Sequence, residues 1–139
     1  MGVLSDLYVS TPELAEAYDD EQTRPDNERA ELSGLTEIEF STLWAIIEGE
    51  EWEERHMDAF ESILQKSDGE RLIFRLPDAF VAKAATLSQG DAASAAEAWA
   101  ETDELECDAE ELIPAIQELT RLSKEAIGSG RSLYLWNCV

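Results

Sequence analysis

Residues 132–139 read Ser-Leu-Tyr-Leu-Trp-Asn-Cys-Val and carry apolar side chains at both odd and even positions. A strand with one solvated face alternates apolar and polar residues, whereas a strand covered on both faces does not. The stretch follows Gly128-Ser129-Gly130, a sequence typical of the end of a helix. We therefore predict that a buried, central strand closes the chain.

Two further strands are predicted upstream. The apolar segment Val3 to Val9 stops at Thr11-Pro12, where Thr is a good N-cap and Pro fits the first helical position, so a short helix ending near Tyr18 should follow. After the turn signal Asp68-Gly69, residues 72–76 alternate as a strand does. Between these two strands, Asp19 to Glu28 is polar and is predicted as a loop.

Capping signals predict the helices. Thr36 and Glu39 are spaced as a capping box, and Gly49 should end the helix that they begin. The acidic stretch Glu48–Asp58 is predicted to begin a third helix that runs to about Lys66. Later helices are predicted from Asp78 to Leu87, after a cap at Asp91, and after a cap at Asp108 with Pro114 near the start.

These elements predict the fold class. The chain has 139 residues, the usual size of one domain. We expect a single acidic α+β domain spanning residues 1–139. Its sheet should be small, about three-stranded, with the N- and C-terminal strands paired. About five or six helices should pack against that sheet.

Several of these segments resemble the YfbM-like family of uncharacterised bacterial proteins. The chain has a Met-Gly start, Thr11-Pro12-Glu13-Leu14, the stretch LTEIEFSTLWAIIEG from Leu35, a helix opened by Leu76-Pro77, and KEAIGSGRSLYLW from Lys124. The resemblance would span most of the chain. It implies an α+β fold and carries over no catalytic motif.

Charge narrows the classes of partner. The chain has 32 acidic and 10 basic residues, for a formal net charge of −22. Nucleic acids and anionic membrane surfaces are bound through Lys and Arg, so neither is an expected direct partner. The partners that such a field attracts are cations, basic proteins, or proteins that themselves bind nucleic acid, and we expect a basic protein.

One acidic run is a candidate interaction surface. Seven carboxylates fall within eleven positions, at Glu101, Asp103, Glu104, Glu106, Asp108, Glu110 and Glu111. Such a surface could imitate the phosphates of a nucleic acid, or neutralise a basic partner as immunity proteins against nuclease toxins do. Alternatively, the acidity is only solubilising in a salt-adapted protein, since Lys occurs only at positions 66, 83 and 124.

A small metal-dependent enzyme is the second functional class. Glu53 and His56 have the i, i+3 spacing with which helical bundles hold a di-metal centre. Such a centre needs the motif twice, and His56 is the only histidine, so a homodimer would have to supply the second copy. On an ideal helix, however, His56 falls within an apolar stripe with Trp52, Phe60 and Ile63, which predicts a buried histidine instead.

No complete catalytic set or cofactor motif is found. A Ser or Cys nucleophile needs a base within hydrogen-bond reach, and only His56 is available. Gly128-Ser129-Gly130 follows a helix and precedes a strand, the reverse of a phosphate-binding loop. Two cysteines without CxxC spacing, Cys107 and Cys138, and no signal-peptide pattern predict a soluble cytoplasmic protein.

Overall fold

A computed structural model describes residues 3–21, 25–66, 69–102 and 108–138. The strands are Leu4–Ser10 (β1), Arg29–Ser33 (β2), Glu61–Lys66 (β3), Arg71–Arg75 (β4) and Ser132–Cys138 (β5). The α-helices are Tyr18–Glu21 (α1), Glu37–Glu48 (α2), Glu54–Asp58 (α3), Asp78–Ala84 (α4), Gln89–Ala100 (α5) and Ala109–Ser129 (α6). This part of the chain is therefore α+β, as predicted.

The sheet is antiparallel throughout, with strand order β2-β1-β5-β4-β3. The terminal strands pair along their whole length, from Leu4 opposite Cys138 to Ser10 opposite Ser132. The last strand is thus central and covered on both faces, as its sequence predicts.

The expected sheet of about three strands is too small, because β2 and β3 complete a five-stranded sheet. β3 replaces most of the predicted third helix. The spacing of Phe60, Ile63 and Leu64 fits a helix, but α3 has only 5 residues and the chain then turns into a strand. The register shifts between Ser62 and Leu64, and this bulge lets both Ile63 and Leu64 pack on one face.

The capping signals place α2 correctly. The Thr36 N–H donates to Glu39 Oε1 at 2.8 Å, and Gly49 ends the helix with φ of 72°. Asp91, in contrast, is not the cap of α5. The cap is Ser88. The Ser88 hydroxyl accepts from the Asp91 N–H at 3.1 Å, and the Ser88 backbone N–H donates to the Asp91 carboxylate at 3.1 Å. Because each of these two side chains accepts a hydrogen bond from the other residue's backbone N–H, the helix begins three residues before the predicted start.

The segment from Thr11 to Glu21 crosses the sheet after β1, and we call it the strap. Its first residues form a turn in which the Thr11 carbonyl accepts from the Leu14 N–H at 3.1 Å. A 3-10 helix, Ala15–Ala17, and then α1 follow. The predicted helix ending near Tyr18 and the predicted loop from Asp19 are therefore both displaced, since Tyr18 and Asp19 begin α1.

The two faces of the sheet are covered differently. Helices α2, α4, α5 and α6 form the larger core over Leu7, Val9, Leu133 and Leu135. The strap covers the opposite face, which we call the second face, where Tyr8, Tyr134 and Trp136 are buried. Among the described residues, none of the helices combines the length and the apolar character that a membrane span requires.

Candidate functional site

His56 is buried, as the apolar stripe predicts, but in different surroundings. It is 0% exposed in α3, and its Nδ1 accepts a hydrogen bond from the Glu53 N–H at 3.0 Å. Its ring lies edge-on to Trp44, with centroids 5.2 Å apart. His56 therefore caps the start of α3 and packs against α2.

Glu53 and His56 do not present a joint ligand set. Glu53 contributes its backbone N–H to the imidazole, while its exposed carboxylate lies 3.5 Å from Arg55 Nε. Within the described ranges, no group of three or more His, Cys, Asp or Glu side chains is placed to hold a metal ion.

The stretch around His56 has a dense acidic surface. We call residues Glu48–Asp58 the acidic segment. Its carboxylates are all on exposed residues, at Glu48, Glu50, Glu51, Glu53, Glu54 and Asp58. Arg55 is the one cation in the segment, and Arg55 Nη2 lies 2.5 Å from Glu50 Oε2. The segment therefore keeps a strong negative charge at its surface.

An exposed tryptophan stands within this negative field. Trp52 is 43% exposed, although the predicted stripe would bury it. Its Nε1–H donates to Ser41 Oγ at 2.9 Å, and the Ser41 hydroxyl donates to the Ile38 carbonyl at 2.7 Å. Ile38 is itself 42% exposed. Trp52 and Ile38, which we call the apolar anchor, are thus linked through Ser41 on the first turns of α2.

The run from Glu101 to Glu111 is only partly described. Asp103, Glu104 and Glu106, named in the sequence prediction, lie outside the described residues, as does Cys107. Glu101, Asp108, Glu110 and Glu111 are exposed. Near the start of α6, the Asp108 N–H donates to Glu111 Oε2 at 3.3 Å. Carboxylates in a first helical turn also complement the helix dipole, so these acids have a structural role as well.

A groove of about 460 Å³ with a mixed polar and apolar lining lies between α2, α4 and α5. Its floor combines Ile46 and Ile47 of α2 with Leu87 and small side chains of α5, Ala95 and Ala98. The groove exists because alanines on α5 leave space that larger side chains would fill. Lys83 and Asp91 line it with opposite charges.

The second face holds a network that the sequence analysis missed. The ring of Tyr18 stacks on Tyr8, with centroids 4.0 Å apart and planes 8° apart. The Tyr18 hydroxyl donates to Asp6 Oδ2 at 2.6 Å, and Arg29 Nη2 lies 3.6 Å from the same oxygen. Burial raises the pKa of the Asp6 carboxyl, although the hydrogen bond from Tyr18 and the charge of Arg29 oppose this. Burial and the bond to Asp6 also raise the pKa of Tyr18.

A second carboxylate in the network is held by three strands. Asp19 accepts from Trp136 Nε1 at 3.0 Å and from Lys66 Nζ at 3.0 Å, and Arg71 Nε lies 3.6 Å away. Burial opposes ionisation of Asp19, but these two hydrogen bonds and the charges of Arg71 and Lys66 outweigh it and lower the pKa of the carboxyl. The spacing of Ala15, Tyr18 and Asp19 was the available sequence signal, because i, i+3 and i+4 share one helical face.

Comparison of the chain with models of protein families, with curated proteins and with solved structures finds no match. The resemblance to the YfbM-like family stays a prediction.

Proposed function

We propose that the protein is a non-enzymatic binding protein for a basic protein partner, and that the partner docks on the acidic segment around the apolar anchor. The observation that carries the proposal is the half-exposed Trp52, held in place within a field of carboxylates. A cytoplasmic location, suggested by two cysteines without CxxC spacing, belongs to the same proposal.

The apolar anchor has the properties of a binding hot spot. Tryptophan dominates interface energetics because it offers a large apolar area with few rotatable bonds. The hydrogen bond to Ser41 fixes the Trp52 ring before binding, so little side-chain entropy is lost when a partner covers it. Ile38, on α2, adds a second exposed apolar side chain.

The surrounding charge defines the partner's chemistry. Glu51 and Glu54 of the acidic segment are exposed, and they complement Lys or Arg side chains at the rim of an interface. The described acids of the sequence-predicted run are exposed, and we include them as a second surface for the same partner: Glu101, Asp108, Glu110 and Glu111. Trp99 Nε1 donates to the Glu39 carbonyl at 3.0 Å and so ties the end of α5, next to Glu101, to α2.

A solubilising role for the acidity is the alternative, and one observation favours it. Exposed carboxylates also lie far from the acidic segment in sequence, at Glu13, Glu16, Glu70, Asp78 and Glu97. Charge spread in this way keeps a protein hydrated and apart from its neighbours. If the acidity serves binding, the carboxylates of the acidic segment should contribute more to affinity than those elsewhere. If it is only solubilising, all exposed carboxylates should contribute alike.

Fluorescence anisotropy measures the affinity for two synthetic peptides and distinguishes the binding function from the solubilising role. The probe carries lysine pairs on both sides of a Leu-Phe pair, and the control peptide has Gly in place of Leu and Phe. We expect the probe to bind more tightly, with an affinity that falls as salt rises. Glu51→Gln with Glu54→Gln should weaken binding more than Glu16→Gln with Glu97→Gln. Equal affinity for both peptides and equal effects of both double variants would favour the solubilising role.

A further inference from the structure

Cations gather on the second face, although the chain is strongly acidic. Four of the 10 basic residues lie there by strand register: Arg29 opposite Tyr8, Arg75 opposite Tyr134, Arg71 opposite Cys138, and Lys66 opposite Arg71. Residues directly opposite each other in a sheet point to the same face. By the same register, Asp6, Glu31 and Glu61 also lie on this face. The cations that matter for an anionic group are therefore Lys66 and Arg71, which stay partly exposed beside Asp19.

The strap places a carboxylate and an aromatic ring on this face as a bound ligand would. Asp19 receives hydrogen bonds from an indole N–H and an ammonium group, with a guanidinium nearby. Tyr18 stacks flat on Tyr8 and meets the edge of Trp136, with centroids 6.0 Å apart. Stacking and convergent cationic donors are the usual means by which proteins recognise an aromatic ring joined to an anion.

Only some of the described side chains of the strap are buried. Ala15, Tyr18 and Asp19 are buried, whereas Glu13, Glu16 and other strap residues are exposed. The side chains of Lys66 and Arg71 remain 39% and 41% exposed beside Asp19. A competing anionic group can thus reach the cations from solvent before the strap has left.

We propose that the second face is a binding site for a segment of another polypeptide that presents an aromatic residue followed by an acidic residue. Tyr18 and Asp19 occupy this site as an internal ligand and keep it closed until a competitor displaces them. The site is separate from the acidic segment, and its partner is acidic, whereas the partner of the proposed function is basic. The two proposals can therefore be tested independently.

Two physical arguments govern access to the site. The strap is part of the same chain, so its effective concentration is of millimolar order and a free segment must compete against it. The net charge of −22 does not exclude an acidic segment. At physiological salt, charges more than about 8 Å away are largely screened. An anionic group at this site therefore interacts mainly with Lys66 and Arg71, and with Asp20, which lies 3.8 Å from Lys66.

Peptide binding to an opened variant tests the proposal. Tyr18→Ala with Asp19→Ala empties the site, and Leu14→Ala with Glu16→Ala, on the exposed side of the strap, is the matched control. The probe is a fluorescein-labelled peptide, acetyl-Gly-Ala-Glu-Phe-Asp-Gly, alongside one peptide with Ala for Phe and one with Asn for Asp. We expect the opened variant to bind the probe about tenfold more tightly than do the wild-type protein and the control variant.

The opened variant should also prefer the probe to the two altered peptides. Lys66→Gln in the same background should reduce the preference over the peptide with Asn for Asp and leave the preference over the peptide with Ala for Phe. If the opened variant is folded by circular dichroism and binds the three peptides equally, the proposal is wrong. If it does not fold, hydrogen exchange of the wild-type protein decides. Probe at millimolar concentration should then speed exchange at the amides of Ala15 to Asp19, and unchanged exchange would overturn the proposal.

Discussion

Trp136 and Asp19 are joined by a hydrogen bond of 3.0 Å across 117 positions of sequence. The bond ties the strap to the central strand, and Lys66 of β3 and Arg71 of β4 complete the surroundings of the carboxylate. A one-turn helix such as α1 is not stable alone, so these contacts hold the strap in place.

Asp19→Asn should therefore lower the free energy of unfolding at neutral pH. The amide can still accept from Trp136, but Lys66 and Arg71 lose their charge partner. Both cations are partly exposed, so we expect a loss of about 1–2 kcal/mol, less than for a fully buried pair. Chemical denaturation of wild type and variant measures it, and an unchanged stability would contradict the assigned role.

The same variant should change the response to acid. The pKa of Asp19 is lowered in the folded state. The ionised carboxylate therefore stabilises the fold fully at pH values above the unfolded-state pKa of about 3.9, and this stabilisation is lost as the pH falls through the folded-state pKa. The difference in the free energy of unfolding between wild type and Asp19→Asn should become smaller as the pH falls below 4. A gap that stays constant with pH would show that the lost contribution is not ionic.

Asp6→Asn should behave in the opposite way. The pKa of Asp6 is raised, so ionisation of this carboxyl costs stability as pH rises through the folded value. An amide oxygen still accepts from the Tyr18 hydroxyl and removes that cost. At pH 7 we expect stability within about 0.5 kcal/mol of wild type or above it. A loss as large as that of Asp19→Asn would contradict the raised pKa.

Zinc should not bind at His56. The imidazole is buried, and its Nδ1 accepts from the Glu53 N–H. Excess Zn²⁺ should leave the midpoint of thermal unfolding unchanged for the wild-type protein and for His56→Gln alike. A rise in the wild-type midpoint that His56→Gln abolishes would revive the metal-dependent alternative.

Arg121 should protect one edge of the sheet. Its guanidinium donates to the carbonyls of Asn27 and Arg29, at 3.0 Å and 3.1 Å, where the edge strand β2 begins. Uncovered carbonyls on an edge strand invite pairing with another chain. Arg121→Ala should therefore scatter more light over time at high salt, where charge repulsion is screened, than Lys124→Ala on the same helix. Equal scattering by the two variants would show that β2 needs no cover.

Local signals were readable from the sequence, and contacts between distant segments were not. The pair Thr36 and Glu39, the stop at Gly49 and the doubly apolar strand β5 all depend on neighbouring residues, and the structure confirms each. β3 was misassigned because Ile63 and Leu64 fit a helical stripe as well as a bulged strand. Asp68-Gly69 before an alternating segment was a hairpin signal that pointed to the strand.

The candidate sites also include features that local sequence predicts and features that depend on contacts between distant segments. The burial of His56 followed from its apolar neighbours, whereas Trp52 is exposed because α3 begins only at Glu54, so that Trp52 lies outside the helix. The network around Tyr18 and Asp19 joins residues far apart in sequence, such as Asp19 and Lys66, 47 positions apart. Only the order of strands brings those residues together.

Trp52→Ala tests the proposed function most directly. The measurement is its affinity for the lysine-flanked Leu-Phe peptide, compared with that of Ile127→Ala, which removes a similarly exposed apolar side chain from α6. Loss of a hot-spot residue costs more than about 1.4 kcal/mol, so Trp52→Ala should weaken binding roughly tenfold while Ile127→Ala leaves it unchanged. Equal affinities for the two variants would contradict the assignment of the apolar anchor as the docking site.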